Sequence, residues 1–255
     1  MKTDNSTIIE KQILMDNVVK ISFKSNLVDL DMKPGQFVNI LIGATGETTL
    51  RRPISVYEID VENKAFTIIF RVEGKGTRIL SEKTVGEEVN ILGPLGNGFP
   101  LDKVQKGQTV MLVGGGIGIP PLYETSKQLK KIGANVIHIL GFNTYSESFL
   151  IDNFKEISKT FVSTVDGTIG QKGFVTDVIE RINLDCDYIF ACGPKPMLKA
   201  LENMVDNSKL YLSFEERMAC GIGACYACVC KTKNSETEYK RVCKEGPVFL
   251  AGEVI

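Results

Sequence analysis

Five of the seven cysteines in this chain fall within its last 40 residues, and four of them carry a spacing that few folds accommodate without a metal. The run Cys220-Gly221-Ile222-Gly223-Ala224-Cys225-Tyr226-Ala227-Cys228 is C-x4-C-x2-C, and Cys243 follows at a distance. Three thiolates from one tight turn and a fourth from another segment suit a [2Fe-2S] centre. Gly221 and Gly223 allow positive φ and a close backbone approach, so that amide N–H groups face the sulfurs. Cys230 competes for the fourth place, but it lies two residues from Cys228, and reaching the far side of a cluster from there is awkward. Cys243 has the separation required. Four-cysteine zinc sites usually use two C-x2-C knuckles, and this tail has one. So short a segment has little core of its own and is expected to fold around its metal. Cys186 and Cys192, outside the cluster, read as small buried side chains.

The rest of the composition narrows the class. A chain of 255 residues suits about two domains of ~150 residues. Thirty basic residues against 31 acidic leave no global attraction for nucleic acid or an anionic membrane. The start, MKTDNSTIIEKQ, lacks a signal-peptide apolar stretch, and no apolar run approaches the ~18 residues of a membrane span. A cytoplasmic protein is therefore expected. The one histidine, His138, sits in the apolar run Val136–Leu140 and is expected to be structural. A histidine-rich metal site or a Ser-His-Asp triad is not expected, and no acid–base catalytic residue is assigned.

Residues 1 to about 100 read as β structure. The segments 36–42, 65–72 and 88–92 mix alternation with β-branched residues, between turn signals such as Lys33-Pro34-Gly35. Short strands at close spacing imply a small antiparallel barrel. After Pro100 strands and helices alternate. Strands are expected at 109–113, 134–142, 161–165, 187–191 and 210–213, with helical stretches between them, which implies an α/β domain with a parallel sheet. The expected division is a barrel at 1–101, an α/β domain at 102–212 and a small cluster domain at 213–255, an α+β multidomain chain.

Two further constellations carry chemistry. Arg51-Arg52-Pro53-Ile54-Ser55 puts two arginines at the start of a predicted strand, where an anion or carboxylate is needed to hold them. Downstream, Phe70-Arg71 leads to Gly74-Lys75-Gly76-Thr77, a glycine turn entering a short helix with Thr77 as its expected N-cap. Free N–H groups at such a start suit a diphosphate. In the second half, Gly114-Gly115-Gly116-Ile117-Gly118-Ile119 follows a strand and opens a helix. Ile119 stands where the G-x-G-x-x-G fingerprint needs its last glycine, so the standard NAD pattern is absent. Ala191-Cys192-Gly193-Pro194 makes a second strand-to-helix loop. No arginine cluster near Asn143 awaits a 2′-phosphate, which leans toward NAD over NADP.

Taken in order, these motifs resemble the ferredoxin-reductase superfamily, whose barrel domain binds flavin and whose α/β domain binds a nicotinamide nucleotide. The resemblance implies an FAD set of Arg52, Pro53, Ile54, Ser55, Ile69, Phe70, Arg71, Gly76 and Thr77. Within it Arg52 holds a phosphate, Ser55 hydrogen-bonds the isoalloxazine, and Gly76 and Thr77 bind the diphosphate. Many relatives have an aromatic residue at the position of Ile54, so ring stacking is reduced here. It also implies an NAD set of Gly114, Gly115, Gly116, Gly118, Cys192, Gly193 and Pro194.

The segment 213–229, together with Arg241-Val242-Cys243-Lys244-Glu245-Gly246-Pro247, is similar to the electron-transfer subunits of class 1B dihydroorotate dehydrogenase, over essentially the whole chain. That resemblance implies FAD, a [2Fe-2S] cluster on Cys220, Cys225, Cys228 and Cys243, and NAD. It further implies an FMN-containing catalytic partner that oxidises dihydroorotate in pyrimidine synthesis, in a heterotetramer of two plus two subunits. Related plans serve other NAD(P)H-linked hydrogenases, sulfur reductases and ferredoxin oxidoreductases. A zinc-binding interaction module is the non-redox alternative.

Overall fold

The computed structural model describes residues 1–43, 50–233, 235 and 237–254. The chain divides into two compact units. One comprises Met1–Gly98 with Glu215–Cys230 and Tyr239–Pro247; the other comprises Phe99–Phe214 with Lys231–Glu238 and Val248–Ile255. The tail is thus shared, and most of its cysteine-bearing part packs with the N-terminal unit.

The first unit is built on β1 (Lys2–Met15), β2 (Val18–Lys24), β3 (Phe37–Ile40), β4 (Arg52–Asp60), β5 (Ala65–Arg71), helix α1 (Lys75–Glu82) and β6 (Glu88–Leu95). Its strands close into an antiparallel barrel in the order β1-β2-β5-β4-β3-β6. Alternation sends Ile21, Phe23, Val38, Ile40, Phe66 and Ile68 inward, where Phe23 and Phe66 stack at 5.4 Å. Each such side chain contributes roughly 1.5–3 kcal/mol on burial. Closure also removes free sheet edges. Helix α1 starts three residues earlier than the sequence suggests: Gly74 is the N-cap, not Thr77. Thr77 instead reaches back, its Oγ1 accepting from the N–H groups of Glu73 and Gly74, each at 3.1 Å. A glycine N-cap leaves this task to a side chain inside the first turn.

The second unit contains β7 (Thr109–Gly115), α2 (Pro121–Ile132), β8 (Asn135–Phe142), α3 (Ile151–Ile157), β9 (Lys159–Thr164), β10 (Gln171–Lys172), α4 (Val175–Ile182), β11 (Tyr188–Cys192), α5 (Lys195–Met204) and β12 (Leu210–Ser213). After a two-stranded ribbon of β13 (Val229–Lys231) and β14 (Tyr239–Arg241), the tail adds β15 (Val248–Leu250) to this sheet. The order is β10-β9-β8-β7-β11-β12-β15, parallel throughout except for β15. Central strands covered on both faces must be apolar almost continuously, as Val110–Val113 and Ile189–Ala191 are. Helices α4 and α5 pack together over Val113, Ile139 and Leu212. Alternation along β8 turns His138 to the opposite face, toward α2 and α3.

His138 is structural. It is fully buried, bonded to Ser126 Oγ through Nε2 at 2.7 Å and to Thr160 Oγ1 through Nδ1 at 2.9 Å, with the Phe154 ring edge-on. Burial, with Lys130 nearby, pushes its pKa down to about 4. Among the described residues no helix is long and apolar enough to cross a membrane.

Candidate redox centre and nucleotide crevices

Cys220, Cys225 and Cys228 lie on one irregular loop that little but its turns defines. Gly221 and Gly223 sit at φ 71° and 83°, where a side chain is strained. Those two turns aim successive N–H groups at sulfur. Ile222 N and Ala224 N donate to Cys220 Sγ at 3.4 and 3.3 Å, and Gly223 N donates to Cys243 Sγ at 3.1 Å. The sulfurs fall into two pairs. Cys220 N donates to Cys225 Sγ at 3.5 Å, and Cys243 N donates to Cys228 Sγ at 3.5 Å. Cys225 is exposed and Cys220 half-buried, whereas Cys228 and Cys243 are buried.

Cys243 arrives from a separate segment that several ties hold against this loop. Arg241 Nη1 donates to Gly223 O at 2.7 Å, and its Nε and Nη2 grip the Glu245 carboxylate. Glu245 holds the Arg241 pKa above, and Arg241 the Glu245 pKa below, the usual value. Val242 N donates to Cys228 O at 2.9 Å. On the barrel side, Asn97 Nδ2 donates to Lys244 O and Glu245 O at 3.1 and 3.0 Å. Cys230, by contrast, is turned to Glu216, with Sγ donating to Oε1 at 3.8 Å.

The electrostatics match the geometry. Burial pushes the Cys220 thiol up, but the N–H of Ile222, the Cys225 thiol and further backbone N–H groups outweigh it and bring Cys220 down to about 6. Cys243 goes the other way, to about 12, through burial and then its contact with the Cys228 thiol. N–H donors to all four sulfurs suit the negative charge of an iron–sulfur centre, and at Cys220 they outweigh burial, whereas at Cys243 burial wins. Among the described residues no three Cys, His, Asp or Glu side chains converge on a single point for one ion. Each of the two irons in a [2Fe-2S] group takes only two protein thiolates, and Cys220 with Cys225 and Cys228 with Cys243 offer two pairs. The residues fit such a group.

At the barrel, the two neighbouring arginines have different work. Arg51 is absorbed by the fold: its Nη1 donates to Asn39 O and Asn90 O at 3.2 and 3.1 Å, and Nη2 to Asn90 Oδ1 at 2.6 Å. Arg52 lies across the start of α1. A Cβ on Gly76 would press on the Arg52 guanidinium, so glycine there lets that group lie against the helix as it stands. A cation against the positive end of a helix is electrostatically the wrong way round. An anion shared by the guanidinium and the free N–H groups of the first turn resolves this, and a diphosphate fits. Arg52 Nη1 also donates to Leu50 O at 2.6 Å, whereas Arg71 Nε is buried without a partner and its Nη1 lies 3.6 Å from Glu73. Along the strands, Ile54 and Phe70 pack into the barrel core. Pro53, Ser55, Ile69 and Arg71 alternate to the other side of β4 and β5.

In the α/β unit the chain runs outward from β7 through β8, β9 and β10, and in the other direction from β11 to β12. The order reverses between β7 and β11, where α/β sheets bind ligands beyond the strands' carboxyl ends. The two predicted loops meet there. Cys192 pairs with Gly114 in the sheet register. A Cβ on Gly118 would come within 2.5 Å of Cys192 O, and one on Gly115 within 2.6 Å of Met197 Sδ and 3.0 Å of Pro194. A Cβ on Gly193 would meet Met197 Cε at 2.5 Å. Only Gly116 in this loop needs positive φ, at 53°. The glycines are therefore largely demanded by close packing of the two loops at the switch point. Cys192 itself is buried.

Sequence reading missed the supports: Asn97, Met197 and the Arg241–Glu245 pair. The Arg and Glu flank Cys243 four residues apart, a signal that could have been used; Asn97 and Met197 have none. Asn39 also escaped. It is buried beneath Gly221, and its Nδ2 and Oδ1 both lack hydrogen-bond partners.

Comparison with known proteins agrees with this geometry. Residues 5–99 match the oxidoreductase FAD-binding domain, and residues 215–255 match the iron–sulfur cluster binding domain of dihydroorotate dehydrogenase B. The chain is 51% identical over 255 residues to the electron transfer subunit of dihydroorotate dehydrogenase B (NAD(+)) from Geobacillus sp. (strain WCH70), covering 100% of this chain and 99% of that one. The counterpart from Bacillus pumilus is 49% identical over 254 residues, with 100% and 98% covered. Among solved structures, a chain of the NADH-dependent reduced ferredoxin–NADP oxidoreductase superposes with a TM-score of 0.86 at 32% identity, over 98% of this chain and 90% of that one. The cytochrome b5 reductase domain of Ulva prolifera nitrate reductase shares the fold, with a TM-score of 0.67 at 19% identity over 84% and 97%.

Proposed function

The chain belongs to the family of electron transfer subunits of dihydroorotate dehydrogenase B, and from that premise we propose that it carries electrons between a dihydroorotate-oxidising partner subunit and NAD+. In this reading Cys220, Cys225, Cys228 and Cys243 hold a [2Fe-2S] cluster. Arg52 and the first turn of α1 at Gly76 and Thr77 hold the FAD diphosphate, while Pro53, Ser55, Ile69 and Arg71 border the flavin with their side chains and Ile54 and Phe70, whose side chains face the barrel core, border it through their backbone. Gly114, Gly115, Gly116, Gly118, Cys192, Gly193 and Pro194 form the NAD crevice. The functional parts are residues 1–101, 213–255 and 102–212 for FAD, cluster and NAD respectively. When bound, a flavin exchanges hydride with a nicotinamide and single electrons with an iron–sulfur centre, which is why one chain carries all three sites.

The observation that carries the reading is the pairing of the four cysteine sulfurs under a set of backbone N–H donors. No side chain is assigned to acid–base chemistry on dihydroorotate; that work falls to a partner carrying FMN, in a two-plus-two heterotetramer of the cytoplasm serving pyrimidine synthesis. The exposed Cys225 edge of the loop is assigned to the partner side, which shortens the electron path. Co-expression with an FMN-containing dihydroorotate subunit tests this. The expected result is a stable complex that reduces NAD+ when given dihydroorotate. Failure to form a complex contradicts it. A second reading, the flavin and iron–sulfur subunit of another NAD(P)H-linked oxidoreductase, draws on the 32% identity to the reduced ferredoxin–NADP oxidoreductase chain. The same co-expression separates the two.

A further inference from the structure

Asn39 is an amide in a place that favours an apolar residue. It is fully buried, and neither side-chain polar atom has a hydrogen-bond partner. An unsatisfied buried amide destabilises the fold, and a leucine there would leave nothing unpaired. Its neighbours show which way it points. Val38 and Ile40 belong to the barrel core, so alternation turns Asn39 outward from β3. There it meets the turn that begins at Cys220: a Cβ on Gly221 would lie 2.5 Å from Asn39 Nδ2 and 3.4 Å from Cγ. The backbone of Asn39 is fixed as well, since its carbonyl accepts from Arg51 and its Cα pairs with Pro53 on the strand that carries Arg52 and Ser55. A rigid strand thus presses a free N–H donor against the floor of the sulfur-bearing loop.

We propose that Asn39 donates its Nδ2–H to a sulfur of the cluster held by this loop and thereby raises the cluster's reduction potential. The inference rests on the reading of the four cysteines as cluster ligands. Reduction adds one negative charge to the group. A donor aimed at its sulfur favours the reduced form, and hydrogen bonds to the sulfurs are among the determinants of such potentials. Asn39 acts as a positioning and tuning residue, not a ligand.

The test uses the full chain, reconstituted anaerobically with iron and sulfide, as wild type, Asn39→Leu and Asn39→Asp. Potentials are read by electron paramagnetic resonance during a redox titration. Asn39→Leu is expected to keep its iron and sulfide while the reduction equilibrium falls roughly tenfold, about 59 mV more negative for a one-electron couple. Asn39→Asp, which replaces a donor with an acceptor, is expected to lie lower still. Wild type labelled with 15N in the asparagine amide is expected to show a weak nitrogen coupling to the reduced cluster, absent from Asn39→Leu. An unchanged potential in Asn39→Leu, or no amide coupling in wild type, overturns the proposal, and the coupling decides alone if a variant fails to fold. A wild-type chain that takes up no iron and sulfide would instead overturn the cluster reading beneath it.

Discussion

The cluster loop and the nucleotide loop are both glycine-rich, yet their glycines do different work. Gly221 and Gly223 are needed for backbone conformation, because both lie at positive φ and so turn N–H groups toward sulfur. Gly114, Gly115 and Gly118 are needed for space, because a Cβ on any of them would drive into Ile119, Met197 or the Cys192 backbone. The nucleotide loop is thus shaped by protein packed against protein. The cluster loop is shaped by turns, N–H···S bonds and a few ties such as Arg241 to Gly223. The first should persist whatever is bound, and the second should depend on its metal.

The largest expected effect breaks the second region alone. Cys243→Ser should abolish the iron–sulfur centre, read as loss of iron, acid-labile sulfide and visible absorption. Cys230→Ser should retain all three, since Cys230 is turned to Glu216. Removing iron from the wild type should speed amide hydrogen exchange across 220–230 and 241–245 and leave β7, β8 and β11 protected. Exchange that rises equally in both regions would erase the contrast.

At the flavin end, Arg52→Ala should weaken FAD binding about tenfold or more, the scale of one hydrogen bond to a charged group at ~1.5–3 kcal/mol. Arg51→Ala should instead lower the unfolding free energy by about 1–3 kcal/mol, because it removes the Arg51 donor from Asn90 Oδ1 and from the carbonyls of Asn39 and Asn90. Flavin titration and denaturant unfolding of both variants separate the two roles.

Two smaller effects concern the α/β unit. Gly118→Ala should cost about 1–3 kcal/mol by overpacking against the Cys192 backbone, with iron content unchanged. For His138, the folded-state pKa of about 4 lies below its ordinary 6.5, so the unfolded chain binds the proton more readily. This histidine therefore costs nothing above about pH 6.5, and stability is lost as pH falls from there to about 4, by at most ~3 kcal/mol. His138→Leu should flatten that acid limb in pH-dependent unfolding.

Much of this was legible because it rests on spacing or on strong patterns. The cysteine interval, the apolar parallel strands and the glycine loops at strand ends are local signals. The strand β1 was not, because Lys2–Met15 is polar and largely exposed and its register is broken by bulges, which erases the two-residue period. β10 is two residues long, and β15 hides in a tail read for its cysteines. The start of α1 was set three residues late because a glycine N-cap offers no side chain to recognise. Asn39 was invisible for a deeper reason: its burial is created by Gly221, 182 positions away in the chain.

The most direct measurement is the cofactor content of the chain purified without oxygen, by absorption, metal analysis and acid-labile sulfide. The expected result is one FAD, two irons and two sulfides for each chain, with flavin and iron–sulfur bands that bleach on reduction by NADH. A colourless protein holding zinc and no labile sulfide would contradict it.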